Sequence, residues 1–375
     1  MDIINLPFDI YKYISEYTNI INLFSTCKNL KNILPNIRYF RFNREFSKEY
    51  IYNDNFKLYI YGLIKKPNYQ LSLNLQWSLY LNLSTLQNID KLDLSHSYIH
   101  SIHKLKNINY LNLSYTNIKK LPILENIKIV NLSGCKEMSD MDLSSLINVY
   151  DLDLSYTNIK TVLGLEKVHK LNLGYCKKIS NVSNLGNVNT LILTCTNIKS
   201  VSGLENVYKL DLSGCQYILN ISKLNKVKIL NLAYTNITNI STLGNVYDLN
   251  LSGCAYIFNV SHLGKVKILN LSHTKIVNVS NLGKVYDLDL SGCQYITDVS
   301  TLGEVSILNL SYTNIKNVNK LGKVKILNLT GCYNVLDVSK LGNVDTLNLS
   351  FTKIKNVSSL KNIRKLNLEY SKYID

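Results

Sequence analysis

The sequence predicts a solenoid of short parallel strands with turns, not helices, on the far side. Three observations lead there. From Leu73 onward a phrase of the form Leu-x-Leu-x-x-(Thr/Cys) returns at a nearly fixed interval. It opens at Leu73, Leu92, Leu111, Val130, Leu152, Leu171, Leu191, Leu210, Leu230, Leu249, Leu269, Leu288, Leu308, Leu327, Leu347 and Leu366. A period of about 20 residues marks an array in which each unit contacts only its neighbours. Within each unit the apolar spacing changes from two residues to three. Finally, the chain has 375 residues and is 46% hydrophobic, enough for a large core, yet it holds no apolar run long enough to span a membrane.

The unit opening at Leu230 shows how one coil is built. Its apolar or small positions are Leu230, Leu232, Thr235, Ile237, Ile240, Leu243 and Val246. The first step, of two residues, is strand periodicity. From Ile237 every step is three, which suits 3₁₀ or extended backbone and not the 3.6 of an α-helix. This is a leucine-rich repeat of the short type. Coils of 19 carry Thr-x-Ile after the strand, as at Thr235-Asn236-Ile237; coils of 20 carry Cys-x-x-Ile, as at Cys215-Gln216-Tyr217-Ile218. The two kinds alternate from Val130, so the larger repeating unit is a pair of coils, one of each kind. A lone coil cannot offset the entropy of ordering its backbone, so both ends of the stack need caps.

The alternation accounts for most of the cysteines. Cys135, Cys176, Cys215, Cys254, Cys293 and Cys332 hold one coil position, filled elsewhere by Thr or Ser (Ser97, Thr116, Thr157, Thr196). A position accepting all three is a small buried slot whose polar atom bonds backbone. Cysteines two coils apart would lie ~9–10 Å apart, beyond disulfide reach. His96, His100 and His103 cluster but have no cysteine or carboxylate to complete a metal site, so solvated surface is the default. No phosphate loop, nucleophile–base pair or carboxylate dyad is visible. The expectation is a non-enzyme without cofactor or metal. The Asn-x-Ser/Thr triplets, such as Asn270-Leu271-Ser272, fall inside the strand phrase and are by-products of the repeat.

The net charge of +16 invites a nucleic-acid reading, but the chain has only four arginines and two alanines amid abundant Lys, Asn, Ile and Tyr. That bias follows from AT-rich coding sequence, and nucleic-acid binders concentrate arginine. The start of the chain has no basic-then-apolar leader, so an intracellular, cytoplasmic address is expected, with the nucleus also open.

The surface expected to bind is the concave face and its edge. Between the two leucines runs a ladder of Asn and Asp, with Ile192 an exception. Beyond it the Thr-type coils carry a ring: Tyr115, Tyr156, Tyr234, His273, Tyr312 and Phe351. Cys-type coils carry Gly there (Gly214, Gly253, Gly292, Gly331), and Tyr175 breaks that rule. These rings are candidate anchors for a target. The alternative is that each ring packs over the neighbouring glycine and seals the edge, which the uniformity of the pattern favours. Asp211, Asp248, Asp287 and Asp289 add acidic candidates that would select a basic ligand.

Residues 1–46 do not repeat. Leu6-Pro7-Phe8-Asp9-Ile10 is followed by Ile14, Tyr17, Ile20, Ile21 and Leu23, then Thr26-Cys27-Lys28-Asn29-Leu30. Pro7 suits a helix's first turn and Asp9 its positive end. The spacing fits two or three amphipathic helices. The pattern resembles the F-box on Leu6, Pro7, Ile10, Ile14, Leu23, Cys27 and Lys28; Asp9 stands near the usual Glu, and Leu30 replaces the frequent closing Trp. The whole chain is similar to F-box/leucine-rich-repeat proteins of large DNA viruses. That resemblance implies a substrate receptor of a cullin-type ubiquitin ligase, whose F-box docks a Skp-type adaptor through those seven residues while the repeats bind a target protein. The other reading is a plain interaction scaffold whose amino-terminal segment only caps the stack. Residues 47–72 read as an atypical capping repeat: Phe40-Arg41-Phe42 mimics the strand phrase, Ser47 is placed to cap a helix toward Ile64, and Lys65-Lys66-Pro67-Asn68 would end it. The solenoid proper is 73–375.

Overall fold

The computed structural model describes residues 39–63, 70–78, 89–99, 102, 108–119, 121, 124, 127–138 and 142–371. The chain divides into two compact units, 1–158 and 159–375.

In the first unit, β1 (Tyr39–Arg41) is followed by helices α1 (Arg44–Tyr52) and α2 (Asp54–Leu63) and by strands β2 (Gln70–Asn74), β3 (Ile89–Asp93), β4 (Tyr110–Asn112), β5 (Ile129–Asn131) and β6 (Asp151–Asp153). Each strand pairs in parallel with the next, Phe40 lying beside Leu71. A register shift at Leu71/Ser72 precedes the line Leu73–Leu92–Leu111–Val130–Leu152. The strand-like character of Phe40-Arg41 is therefore real.

The helix expectation needs correction. Asn43, not Ser47, caps α1, its Oδ1 accepting from Phe46 N at 2.9 Å. Ser47 is buried inside the helix, donating to Asn43 O at 2.7 Å and accepting from Asn74 N at 2.9 Å. The helix also stops at Asn53, whose Oδ1 then accepts from Phe56 N near the start of α2. Two Asn caps thus divide what reads as one helix. Tyr50 and Phe56 are buried beside Phe42, and the Ser47–Asn74 bond ties α1 to β2. Lys65-Lys66-Pro67-Asn68 lies outside the described residues.

The second unit repeats one coil. Its strands are β7 (Lys170–Asn172), β8 (Thr190–Ile192), β9 (Lys209–Asp211), β10 (Ile229–Asn231), β11 (Asp248–Asn250), β12 (Ile268–Asn270), β13 (Asp287–Asp289), β14 (Ile307–Asn309), β15 (Ile326–Asn328), β16 (Thr346–Asn348) and β17 (Lys365–Asn367). All pair in parallel with the leucines in line, from Leu171–Leu191–Leu210 to Leu327–Leu347–Leu366. The far side is extended chain and 3₁₀ turns such as Ser183–Leu185, Ser222–Lys226 and Ser261–Leu263. This is the leucine-rich-repeat solenoid that the spacing predicts. All seven inward positions of the Leu230 coil are at most 2% exposed.

The Thr/Cys slot is a hydrogen-bond device. In the turn after β10, Thr235 Oγ1 donates to its own coil's Leu232 O at 2.6 Å, and Cys254 Sγ of the next coil reaches the same carbonyl at 3.1 Å. The arrangement recurs at Leu113, Leu193, Leu271 and Leu310. At the last coils Ser371 takes the thiol's place against Leu349 O. The Leu232 carbonyl, which also accepts from Thr235 N at 3.3 Å, is thereby bonded from two coils. The reverse joint is tied as well: Asn197, Asn236 and Asn314 donate through Nδ2 to the carbonyls of Lys177, Gln216 and Gln294, each the residue after a slot cysteine.

Candidate interaction surface

Every coil ends its strand with a residue in the left-handed region, and this builds the edge. Tyr115, Tyr156, Tyr175, Tyr234, His273, Tyr312 and Phe351, all predicted anchors, have φ between +56° and +62°. Gly134, Gly214, Gly253, Gly292 and Gly331 stand at the equivalent place with φ of +68° to +72°. Glycine takes this conformation without strain, whereas any side chain costs about 1–2 kcal/mol. The alternation follows from crowding. A Cβ built on Gly253 would lie 2.5 Å from the Tyr234 ring, and on Gly331 2.6 Å from the Tyr312 ring. Gly134 stands in the same relation to Tyr115, and Gly292 to His273. Each ring leans over the next coil's glycine. The packing role is thus met, yet the rings stay open to solvent: Tyr234 is 63% exposed and Tyr312 54%.

Three ring-bearing members of this edge escape the sequence reading. Trp77, His96 and Tyr370 share the left-handed backbone. Where ring-bearing coils adjoin, the rings stack face to face: Trp77 on His96 at 4.3 Å, His96 on Tyr115 at 4.8 Å, and Phe351 on Tyr370 at 4.9 Å. His96 therefore belongs to an aromatic column and is not a free-standing surface histidine; His100 and His103 lie outside the described residues.

The Asn/Asp ladder serves the backbone first. Each side-chain Oδ1 accepts from the amide two residues on, as in Asp211 with Ser213 N (2.8 Å), Asn250 with Ser252 N (2.9 Å) and Asp289 with Ser291 N (2.8 Å). Asn220, Asn259 and Asn278 make the same turn on the far side. These Asx turns explain the Asn-x-Ser triplets in both places. Of the acidic candidates, Asp211 is engaged further by Ser213 Oγ and Asn231 Nδ2. Asp248 and Asp287 begin their strands. Burial raises the Asp287 pKa, and the charges of Asp289 and Asp248 raise it further. Burial also raises Asp248, opposed by Lys209. The structure thus gathers Asp248, Asp287 and Asp289 in one patch.

A second exposed column was missed. Two residues before the first leucine, Tyr208, Tyr247 and Tyr286 alternate with Lys228 and Lys267 on successive strands, the tyrosines 51%, 53% and 41% exposed. Lys267 Nζ sits 4.3 Å from the Tyr286 ring centroid, a cation–π contact. The contrast of Val-Tyr-x-Leu with Val-Lys-Ile-Leu signalled it. The adaptor-docking candidates Leu6, Pro7, Ile10, Ile14, Leu23, Cys27 and Lys28 lie outside the described residues.

No protein-family model matches the chain, and no curated protein matches it. Solved structures do. A leucine-rich-repeat protein of Leptospira interrogans is 20% identical, with 92% of this chain and 94% of that one covered and a TM-score of 0.63. The functional domain of InlJ from Listeria monocytogenes, described as including a cysteine ladder, is 19% identical over 78% of this chain and 70% of its own, with a TM-score of 0.58. TLR13 in complex with ssRNA13 is 19% identical over 91% of this chain and 62% of its own, with a TM-score of 0.68. At these identities the likeness establishes the leucine-rich-repeat fold.

Proposed function

We propose that this chain is a non-enzymatic, intracellular adaptor: its repeats bind a target protein, and its amino-terminal segment docks a Skp-type adaptor of a cullin-type ubiquitin ligase. The repeated exposed edge carries the binding half of this reading. Its polar strand side chains are occupied with their own backbone, while rows of tyrosine and lysine face solvent along successive coils. Aromatic side chains of this kind supply contact area at low entropic cost. The docking half rests on the resemblance of Leu6, Pro7, Ile10, Ile14, Leu23, Cys27 and Lys28 to the F-box.

The test is a binding assay between the full chain and a purified Skp-type adaptor, with Leu6→Asp as control. The reading expects binding by the wild type and its loss in the variant, with unchanged β-sheet circular dichroism. No binding by the wild type sinks the ligase role. Loss of the repeat signal in Leu6→Asp supports the cap-only scaffold instead.

A further inference from the structure

The ring edge has one gap. In the coil opening at Leu191, the place of the ring is taken by Cys195, with the same left-handed backbone (φ +55°). Its Sγ lies 2.6 Å from where a Cβ on Gly214 would stand, the spot that sister coils cover with a ring. Cys195 is thus a ring position without a ring. The preceding coil departs from the pattern too, carrying Tyr175 where a Cys-type coil has glycine. Tyr175 and Tyr234 thereby stand three rungs apart with only Cys195 and Gly214 between them. The result is an open depression of about 490 Å³ lined by Tyr175, Lys177, Cys195, Gly214, Tyr217 and Tyr234, among others.

We propose that this depression is a recognition slot for one aromatic side chain of a partner protein, flanked in that partner by acidic residues. The molecule itself shows what fits. In four sister coils a ring lies on the glycine at this place. Successive strands are ~4.8 Å apart, and rings on adjacent coils of this protein stack at 4.3–4.9 Å. A guest ring set beyond the Cys195 Sγ, which itself covers Gly214, therefore meets the Tyr175 face at stacking distance. Lys177, with its Nζ 5.9 Å from the Tyr175 centroid, is the only charged residue among those lining the slot. One cation suits an aspartate or glutamate beside the guest ring, whereas a nucleic-acid strand needs a row of cations to follow its phosphates. The slot thus favours an acidic peptide with an aromatic anchor. Cys195 matters here for its small size, not for thiol chemistry.

This inference rests on the protein-binding reading of the repeats but not on adaptor docking: a failed adaptor assay leaves it standing, and its own failure leaves the docking intact. The experiment titrates the full chain with acetyl-Asp-Trp-Asp-amide, acetyl-Asp-Ala-Asp-amide and AMP, followed by saturation-transfer NMR on the ligand. The Trp peptide is expected to bind about tenfold more tightly than the Ala peptide, the scale of a good aromatic pair. Cys195→Tyr rebuilds the missing ring on a backbone that already holds tyrosine in sister coils, so it folds, and it is expected to abolish the Trp-dependent part. Cys195→Ala leaves the slot open and keeps it. Equal binding of the two peptides, or undiminished Trp-peptide binding by Cys195→Tyr, overturns the slot. Tighter binding of AMP than of the Trp peptide overturns the protein occupant.

Discussion

Replacing Gly253 by alanine tests whether the ring-and-glycine edge is a packed structure. Two costs are legible in the geometry. The left-handed backbone (φ +68°) penalises any side chain by about 1–2 kcal/mol. In addition, the new Cβ would stand 2.5 Å from Tyr234 Cδ1 and Cε1. Ordinary contact begins at 3.4 Å, so the ring must retreat by 0.9 Å. Since Tyr234 is already 63% exposed, that retreat forfeits only part of an aromatic contact, about 1 kcal/mol. Gly253→Ala should therefore cost about 2–3 kcal/mol. Tyr234→Ala alone should cost about 1 kcal/mol, and the double variant about 1 kcal/mol less than the sum, because without the ring nothing is displaced. Urea unfolding followed by circular dichroism gives the totals. Amide exchange at Leu251 and Leu232 locates the effect, which guards against the loss of two-state behaviour expected in long arrays. Strict additivity, or a cost for Gly253→Ala below about 0.5 kcal/mol, would refute the packing argument.

Three further expectations follow from the interior and the acidic patch. Thr235→Val removes the 2.6 Å bond to Leu232 O and should cost about 1 kcal/mol; no loss in a denaturation series would remove the slot's structural role. In a Cys27→Ser background, Ellman's reagent should modify Cys195 quickly and spare Cys135, Cys176, Cys215, Cys254, Cys293 and Cys332 until the chain unfolds, since all six are 0% exposed. Rapid reaction of several thiols would contradict the ladder. Asp287 has a folded pKa above its ordinary value, so the native state holds its proton more firmly. Its stabilising contribution is present below the unfolded value and disappears as pH rises through the folded one. Asp287→Asn should flatten the fall in melting temperature between the ordinary carboxylate range and neutrality, by less than about 1 kcal/mol because solvent screens the patch. An unchanged pH slope would count against the clustering.

Much of the fold was written in the spacing of Leu, Ile and Val, because in a coil this short each buried position must recur. The slot of Thr and Cys was legible for the same reason. Backbone conformation was harder to read. Glycine alternating with tyrosine at one position looks like a choice of side chain, whereas the constant is the left-handed backbone beneath both. That is why Trp77 and His96 were not grouped with Tyr115. Ser47 misled because Ser and Asn are both good caps. Only the position of Asn74, whose amide Ser47 accepts, shows which of the two lies inside the helix. On the candidate surface the rings and aspartates were visible in sequence. The gap at Cys195 was visible only through exceptions, Cys195 itself and Tyr175, whose meeting along one depression no single coil reveals.

The two kinds of joint between coils set how such a chain can change length. From a Thr coil to a Cys coil, the link is a thiol to the previous carbonyl, as Cys254 to Leu232. From a Cys coil to a Thr coil, it is in four joints an asparagine to the residue after the cysteine, as Asn236 to Gln216, while Lys275 and Lys353 stand at that place in two others. Removing one coil from the alternating stretch brings two of the same kind together and leaves one of these links without its partner. Removing an adjoining pair, one coil of each kind, keeps the order of Thr and Cys coils and so the thiol links. Gain and loss by whole pairs is therefore nearly silent to the fold, while the surface lengthens or shortens by two rungs. A change by a single coil is tolerated where rings already stack on one another, as from Trp77 to Tyr115. Growth by pairs is a route by which one scaffold comes to fit partners of different length.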